Sequence, residues 1–321
     1  MGLALLTVLT LTTLGAGSSQ ADDGPYPGLP PAEVPPPPLV HTSWGGTAFG
    51  ALAYVRRARQ WVRTPLVTAA FDLNQGIADP NPDPSRYQRC SVVNANSYLV
   101  APAGASYNYG ASRDVTVRTV AFGNIPVEAT VRLEQTRVEG LPVPVKLHTQ
   151  VCTNTIGAIE VPDNEFKFSL FTHVVAVSVD GTPLRLDGAC RTRTAGPVDL
   201  HGKGYYQGWD GTKNVPPPAT PYWESGHYNV ASGGLLTGTM DVPAFAGCTT
   251  AEGDDLSRLL TATISGTGFP LQVIQGSAFA CTTRILRAPP PGASTPEAAH
   301  CNTNPALLPA GGAPPIPQNG D

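Results

Sequence analysis

Apolar and polar residues alternate along much of the region from residue 40 to residue 287, and this two-residue period predicts β-strands. Val127–Leu133 shows the alternation clearly, whereas Val174–Val179 is a valine-rich run typical of a buried strand. The other strands predicted in this way are Val115–Val120, Val143–His148, Phe166–Leu170, Thr182–Leu186, Val198–Tyr206, Leu235–Val242, Leu259–Ser265 and Leu271–Ser277.

A hairpin is predicted where an Asp-Gly pair, Asp180 and Gly181, separates two of these strands. A type I′ turn needs two residues that tolerate positive φ, and Asp-Gly meets that need. Many short strands separated by Gly, Pro, Asn and Asp are typical of an antiparallel β-sandwich or barrel. We therefore predict an all-β fold with very little helix. It is built as one large or two small β domains, with a possible division near residues 160–165.

Helix is predicted in two places only. Thr47–Arg63 is the best candidate because its apolar residues are spaced to share one face of a helix. These are Phe49, Leu52, Val55 and Trp61, and the arginines partly opposite them are Arg56, Arg57, Arg59 and Arg63. The arginines fit either a solvated face or a contact with an anionic wall polymer. Asp254–Leu260 predicts a short helical turn, with acidic residues at its N-terminal end, where the helix dipole favours them.

The two ends of the chain differ in composition from its middle. The chain has 34 Pro residues, and half of them lie in residues 22–39 and 288–321. Proline-rich segments bury too little apolar surface to fold and favour extended conformations. We therefore predict a disordered linker at 22–39 and a disordered tail at 288–321, on either side of a β-rich folded region at 40–287.

Met1–Ala21 has the character of a secretory signal peptide. Gly2–Gly15 is uncharged and largely apolar, and it is too short to cross a bilayer. Small residues at Ser19 and Ala21 predict cleavage before Asp22. The basic residues that normally precede such a stretch are missing, so we expect the natural start to lie upstream of Met1. We expect the mature chain to be secreted, with at most a loose association with the cell surface and no integral membrane segment.

Six cysteines behind a predicted signal peptide indicate disulfide bonds. The candidates are Cys90, Cys152, Cys190, Cys248, Cys281 and Cys301. Six cysteines allow 15 connectivities, and the two pairs we favour are Cys90–Cys152 and Cys248–Cys281. Cys301 lies in the proline-rich tail, where a bond would tie the tail to the folded region and a free thiol could join two chains.

Charge and motifs argue against several classes of function. The formal net charge is −4, so no nucleic-acid partner is expected. The sequence has no Gly-x-Ser-x-Gly elbow, no His-Glu-x-x-His motif, no EF-hand loop and no Gly-rich phosphate loop. We therefore expect no cofactor and no metal, and we identify no catalytic residue. A catalytic triad assembled from distant strands stays open as an alternative.

Aromatic residues cluster in His201–Tyr228, which contains two of the four Trp and two of the six His residues. Its prolines and its Asp-Gly pair predict a long excursion between strands, and loops on a rigid sheet often carry binding sites. Aromatic rings flanked by polar groups suit stacking on sugar rings, although such rings also serve to pin a loop to its sheet. The candidate ligand-binding residues are Tyr205, Tyr206, Trp209, Trp223 and His227.

Turn glycines, cysteines and apolar strand positions mark six segments in the C-terminal half of the chain. These segments are Val179–Leu184, Cys190–Thr192, Pro197–Leu200, Gly233–Thr239, Val242–Cys248 and Ile264–Gly266. Over about residues 177–282 the chain resembles uncharacterised secreted proteins of high-GC Gram-positive (actinobacterial) bacteria. The resemblance implies a secreted, cysteine-bridged β domain and brings no catalytic residue with it.

The function that the sequence favours is a non-catalytic binding or cell-envelope module. Its partner is a cell-wall polysaccharide or another surface protein. One alternative is a secreted hydrolase of polysaccharide or peptide whose active site is dispersed along the sequence. The other is a structural, self-assembling surface protein, a role that the proline-rich ends and Cys301 suit.

Overall fold

The computed structural model describes residues 39–56, 59–76, 83–99, 110–121, 125–138, 141–186, 189–219, 222–230, 232–276 and 279–280. The predicted signal peptide and the predicted tail lie outside these residues, as do Cys281 and Cys301. The predicted linker also lies outside them, except for its last residue.

Strands make up most of the described part of the chain. In chain order they are β1 (Leu39–Val55), β2 (Gln60–Gly76), β3 (Tyr87–Leu99), β4 (Val115–Ala121), β5 (Ile125–Gln135), β6 (Arg137–Val138), β7 (Leu141–Pro142), β8 (Val145–Asn154), β9 (Ile159–Val161), β10 (Asn164–Val179), β11 (Thr182–Leu184), β12 (Arg191–Thr192), β13 (Gly196–Gly202), β14 (Tyr205–Trp209), β15 (Asn214–Val215), β16 (Tyr228–Asn229), β17 (Gly233–Val242), β18 (Phe245–Ala246), β19 (Gly266–Gln275) and β20 (Phe279–Ala280). The two helices are α1 (Tyr222–Ser225) and α2 (Ser257–Ile264). Neither of these described helices is long and apolar enough to cross a membrane.

Eighteen of the described strands form one antiparallel sheet, and β6 pairs separately with β7. The main path through the sheet runs β4–β5–β10–β13–β17–β19–β1–β2–β3–β8–β9–β14. The sheet curls into a half-barrel, which confirms the predicted antiparallel all-β fold with little helix. Strands on both sides of residues 160–165 belong to this sheet, and the division into domains stays a prediction.

The side chain of Gln135 connects the two arms of the curled sheet. β5 lies near one end of the strand order and β3 near the other, and Gln135 of β5 is buried between them. Its Oε1 accepts from the Leu99 amide at 2.8 Å, and its Nε2 donates to the carbonyls of Ser97 at 3.1 Å and Val143 at 2.9 Å. The amide of Gln135 therefore supplies, across this seam, the hydrogen bonds that a neighbouring strand would otherwise provide.

The main core fills the inside of the half-barrel, because successive side chains of a strand point to opposite faces of the sheet. Phe166 of β10, Leu200 of β13 and Val273 of β19 belong to this core, and every one of them is buried. The exposed side chains of Lys167 and His201 follow directly after two of them in sequence. The alternation predicted from the sequence therefore separates a buried inner face from a hydrated outer face.

A second, smaller core lies under α2, at residues for which the sequence predicted the strand Leu259–Ser265. Leu256, Leu260 and Ile264 are spaced by four residues, and all three pack against buried Phe245 and its neighbours. That spacing matches the helical period, so the strand prediction was wrong and the short helical turn predicted just before it marks the true element. Ser257 begins the helix, and its amide donates to Asp255 Oδ1 at 2.9 Å.

The predicted helix Thr47–Arg63 is instead the hairpin of β1 and β2, so that prediction was wrong. β1 pairs with β2 on one side and with β19 on the other, and Phe49 lies opposite Gln275. Phe49 and Ala51, two residues apart, both line the interior. The apolar residues of this segment fit both a helical and a strand period, and pairing with β19 decides between them. Arg56, Arg59 and Arg63 are exposed, as on a solvated face.

Two other local predictions can be compared directly with the fold. Asp180 and Gly181 have φ values of 48° and 77°, and they join β10 to β11, which confirms the hairpin and its two positive φ angles. The single strand predicted over Val198–Tyr206 is divided into β13 and β14, with Gly204 between them. A Cβ at this glycine would lie 2.1 Å from the carbonyl oxygen of Val161, so only glycine fits this close approach.

Two disulfide bonds are present in the described part of the chain. Cys90 bonds to Cys152 across the paired strands β3 and β8, as predicted. Cys190 bonds to Cys248, so the predicted pair Cys248–Cys281 was wrong. The Cys190–Cys248 bond lies in the core under α2, where the short pairing of β12 with β18 brings the two cysteines together.

Candidate functional site

The inside of the half-barrel encloses a cavity of about 220 Å³ that is lined almost wholly by apolar side chains. The lining positions follow the two-residue period of the strands. β1 contributes Thr47, Phe49, Ala51 and Ala53, and β10 contributes Phe166, Phe168, Leu170 and Thr172. Among the described lining residues only Asp241 carries a charge, and its Oδ1 already accepts from the Gly268 amide at 2.7 Å.

Small residues on one side of the barrel leave this space open. Ala51, Ala69 and Ala95 point inwards from β1, β2 and β3, whereas Phe166 and Leu200 line the wall formed by β10 and β13. Protein interiors are close-packed, so a cavity of this size is formed by small side chains at positions that larger ones could fill. The sequence did contain this signal, as small residues at alternate strand positions, but the helix prediction for residues 47–63 concealed part of it.

Tyr228 lines the cavity. Its ring is fully buried, stands edge-on to Phe166 with centroids 5.5 Å apart, and packs against the backbone of Gly202. Its hydroxyl donates to Gln275 Oε1 at 2.7 Å, and Gln275 Nε2 donates to the Val230 carbonyl at 2.8 Å. The polar atoms of this pair bond to one another, and most of the remaining cavity wall is apolar.

The five residues predicted to bind a ligand do not form a single site in the structure. They lie in the excursion between β13 and β17, which are directly paired strands. Trp209 ends β14 with 47% of its surface exposed. Trp223 of α1 instead packs against buried Ala48 and Ile274. These two tryptophans therefore occupy different environments, and one of them anchors the excursion to the sheet.

Tyr205 and His227 come together with a tyrosine that the prediction left out, Tyr222. The rings of Tyr205 and Tyr222 stack with centroids 5.4 Å apart, and His227 stands edge-on to Tyr205 at 6.2 Å. Asn229 Nδ2 donates to the Tyr205 hydroxyl at 3.2 Å. Burial, and to a smaller extent the hydrogen bond with Tyr222, raises the pKa of Tyr205. The phenol therefore stays neutral at physiological pH.

Tyr205 and Tyr206 also line a second concavity, a groove of about 300 Å³ between β3, β8, β9 and β14. Tyr87 and Glu160 also line this groove. Burial and the neighbouring Glu160 carboxylate raise the pKa of Tyr87. The sequence gave no indication that Tyr87 and Glu160 line the same groove as the two tyrosines, because it takes the pairing of β3 with β8, of β8 with β9 and of β9 with β14 to bring them there.

Neither concavity contains an evident catalytic constellation. Across the described ranges no group of three or more His, Cys, Asp and Glu residues is placed to hold a metal ion. His201 lies on the outer face with its Nε2 3.1 Å from Asp199 and its Nδ1 3.8 Å from Glu165, and all three side chains are substantially exposed. No family model, no curated protein and no solved structure shows significant similarity to this chain.

Proposed function

We propose that this protein is a secreted binding module that holds a small apolar molecule inside its half-barrel. The observation that supports the proposal is the apolar cavity of about 220 Å³, lined by the inward residues of β1, β2, β3, β8, β10, β13, β17 and β19. Closed or curled antiparallel sheets of about this strand number are a common way to enclose one small ligand.

The size of the cavity limits the ligand. An apolar cavity of about 150 Å³ is large enough for benzene, so by proportion about 220 Å³ holds on the order of nine carbon atoms. On β1 the lining extends from Thr47 to Ala53, which is roughly 20 Å along an extended strand. A space that is both this long and this small in volume is narrow, so it suits an alkyl chain better than a fused ring system.

The apolar wall sets the expected affinity. Burying a methylene group contributes about 0.8 kcal/mol, so eight buried methylenes contribute roughly 6 kcal/mol, which corresponds to a Kd on the order of tens of micromolar. Tyr228 and Gln275 bond to each other, and most of the remaining lining is apolar, so apolar contacts dominate the interaction with a ligand. The ligand is therefore selected by its apolar length.

Secretion is the other half of the proposal. Two disulfide bonds in the described part of the chain suit an oxidising compartment, and a signal-like N-terminus and the resemblance to secreted actinobacterial proteins agree with it. Apolar molecules partition poorly into water, so a carrier outside the cell must enclose such a molecule in its interior.

The test is calorimetric titration of the purified protein with a series of n-alcohols from hexanol to dodecanol. We expect Kd to fall about fourfold for each added methylene until the chain fills the cavity, and then to level off. The double variant Ala51→Leu/Ala95→Leu places larger side chains in the cavity, and we expect it to bind at least about tenfold more weakly.

The matched control is Ala262→Leu, the same exchange at an exposed position of α2. It should bind the alcohols as the wild type does, and circular dichroism should show the same fold for all three proteins. Absence of binding to every alcohol would overturn the proposal, as would equal binding by the folded Ala51→Leu/Ala95→Leu variant and the control.

A further inference from the structure

The groove beside Tyr205 and Tyr206 lies on the opposite face of the sheet from the apolar cavity. Gln150 and Cys152 of β8 line the groove, whereas Val145 and Leu147 of the same strand line the cavity. Since side chains alternate between faces along a strand, the two concavities are separated by the thickness of the sheet. A ligand in one of them does not occupy the other.

The groove combines aromatic rings with polar groups. The rings of Tyr87 and Tyr206 lie on this side of the sheet, and Tyr205, Val161 and Pro162 also line the groove. Its polar side chains are those of Gln150, Glu160 and Asp163. The cavity wall is almost free of polar groups, so the two sites suit ligands of different chemistry.

The tyrosine rings are held in place before any ligand arrives. The Tyr206 hydroxyl donates to the Trp209 carbonyl at 2.7 Å and accepts from Asn154 Nδ2 at 2.9 Å. The ring of the preceding residue, Tyr205, points to the other face of the sheet, where it stacks on Tyr222. Rings that are already ordered lose little conformational entropy on binding, so they are effective platforms for a ligand.

The carboxylates of the groove keep capacity to accept hydrogen bonds. Asp163 Oδ1 accepts from the Gly204 amide at 2.8 Å, and Glu160 forms an ion pair with Arg86. An ionised carboxylate has about four acceptor positions, so both side chains can accept further donors. Among the described residues Glu160 is paired with Arg86 and Asp163 has no ion-pair partner, so the negative charge left in the groove also disfavours an anionic ligand.

A neutral saccharide matches this combination. The C–H face of a sugar ring packs on an aromatic ring while its hydroxyl groups donate to carboxylate oxygens. We propose that the groove formed by Tyr87, Tyr205, Tyr206, Glu160 and Asp163 binds a neutral glycan on the outer face of the half-barrel. This proposal is independent of the apolar ligand proposed for the interior.

The experiment is calorimetric titration of the full chain with neutral pentasaccharides of glucose, galactose, mannose and N-acetylglucosamine, and with one anionic pentasaccharide of galacturonic acid. We expect at least one neutral pentasaccharide to bind in the millimolar range or tighter, and the anionic one to bind at least about fivefold more weakly. We expect Tyr87→Leu and Asp163→Ala each to weaken the neutral ligand by at least about fivefold.

The control variant is Trp209→Ala, which removes an exposed aromatic ring that is not part of the groove wall. It should bind the saccharide as the wild type does. Asp163→Asn, which keeps an acceptor for the Gly204 amide, should separate loss of ligand contact from loss of fold, because it keeps the fold and still weakens binding.

The proposal is overturned if none of the neutral pentasaccharides binds, if the anionic one binds best, or if the folded groove variants bind like Trp209→Ala. The cavity variant Ala51→Leu/Ala95→Leu should keep its saccharide affinity. Loss of saccharide binding in that variant, with the fold intact, would also contradict a separate outer site.

Discussion

The hydroxyl group of Tyr228 donates to Oε1 of Gln275 at 2.7 Å, and both buried side chains line the apolar cavity. The two residues are 47 positions apart in the sequence, in β16 and β19. Their bond fixes the Tyr228 ring in the cavity wall and satisfies an amide oxygen that would otherwise be desolvated without a partner.

Removal of that hydroxyl should destabilise the fold measurably. In Tyr228→Phe the Oε1 atom of Gln275 loses its donor in a dry environment, so we expect the free energy of unfolding to fall by about 1–3 kcal/mol. Urea denaturation followed by circular dichroism measures the change. Tyr206→Phe is the matched control, because its hydroxyl is more accessible to water, and we expect a smaller loss. Equal losses in the two variants would contradict a special role for the buried pair.

Because Tyr228 is buried, we also expect the protein to lose stability at alkaline pH. Burial raises the pKa of Tyr228 above the ordinary value of 10.0. The stability that Tyr228 contributes is therefore complete below pH 10 and is lost as the pH rises above 10. The reason is that the unfolded chain releases the phenol proton at a lower pH than the folded protein does. We expect this group to contribute a fall of about 1.4 kcal/mol per pH unit above 10.

Burial raises the pKa of Tyr205 as well, so part of the alkaline dependence should remain when Tyr228 is replaced. The measurement is urea denaturation at pH 8, 10 and 11 of the wild type and of Tyr228→Phe. The variant should show the shallower slope above pH 10. Parallel slopes would show that Tyr228 does not titrate differently in the folded and unfolded states.

Gln135 should be sensitive to replacement although it does not itself line either concavity. Gln135→Leu leaves the Leu99 amide and the Ser97 and Val143 carbonyls without this partner, so we expect a loss of at least about 2 kcal/mol in the free energy of unfolding. Urea denaturation tests this. A loss below about 0.5 kcal/mol would show that water replaces the amide across the seam.

Gln135→Glu tests the same hydrogen bonds in another way, because it keeps the acceptor for the Leu99 amide and removes the donor to the two carbonyl groups. Its carboxylate still accepts from Leu99 but faces two carbonyl oxygens, and burial together with this repulsion should raise its pKa in the folded state. Stability should then be highest near pH 4, where the carboxyl is protonated, and should fall as the pH rises towards 8. The wild type lacks this carboxyl and should not show the added pH dependence.

The disulfide pairs give a prediction of both connectivity and stability. Non-reducing peptide mapping should find Cys90 linked to Cys152 and Cys190 linked to Cys248, and a peptide that links Cys248 to Cys281 would contradict the structure. The linked residues are 62 and 58 positions apart, so the loop-entropy model gives about 4 kcal/mol for each bond. Replacing either pair by alanines should lower the free energy of unfolding by roughly 2–4 kcal/mol.

Features set by neighbouring residues could be predicted from the sequence. The turn at Asp180 and Gly181 depends on φ preferences of those two residues, and strands such as Val127–Leu133 depend on a period that is visible within seven positions. The Cys90–Cys152 bond was also predicted, although nothing in the sequence favoured it strongly over other pairs.

Short apolar segments without a unique period were assigned wrongly. Thr47–Arg63 and Leu259–Ser265 each fit a helix and a strand, and the structure exchanged the two assignments. Pairing with β19 makes a strand of residue positions 47–55, whereas burial of Leu256, Leu260 and Ile264 against one core makes a helix of α2. In both cases the secondary structure depends on contacts with residues that are distant in sequence or lie on another element.

The sequence by itself determined the alternation of buried and exposed positions, the tight hairpin and the presence of paired cysteines, because each follows from local chemistry or composition. Only the tertiary structure decided what those positions enclose. Ala51 and Ala95 leave an apolar space because the sheet curls until they face Phe166. Tyr87 and Tyr206 line one groove because β3, β8, β9 and β14 pair in succession. Such relationships depend on long-range strand order, which no local pattern specifies.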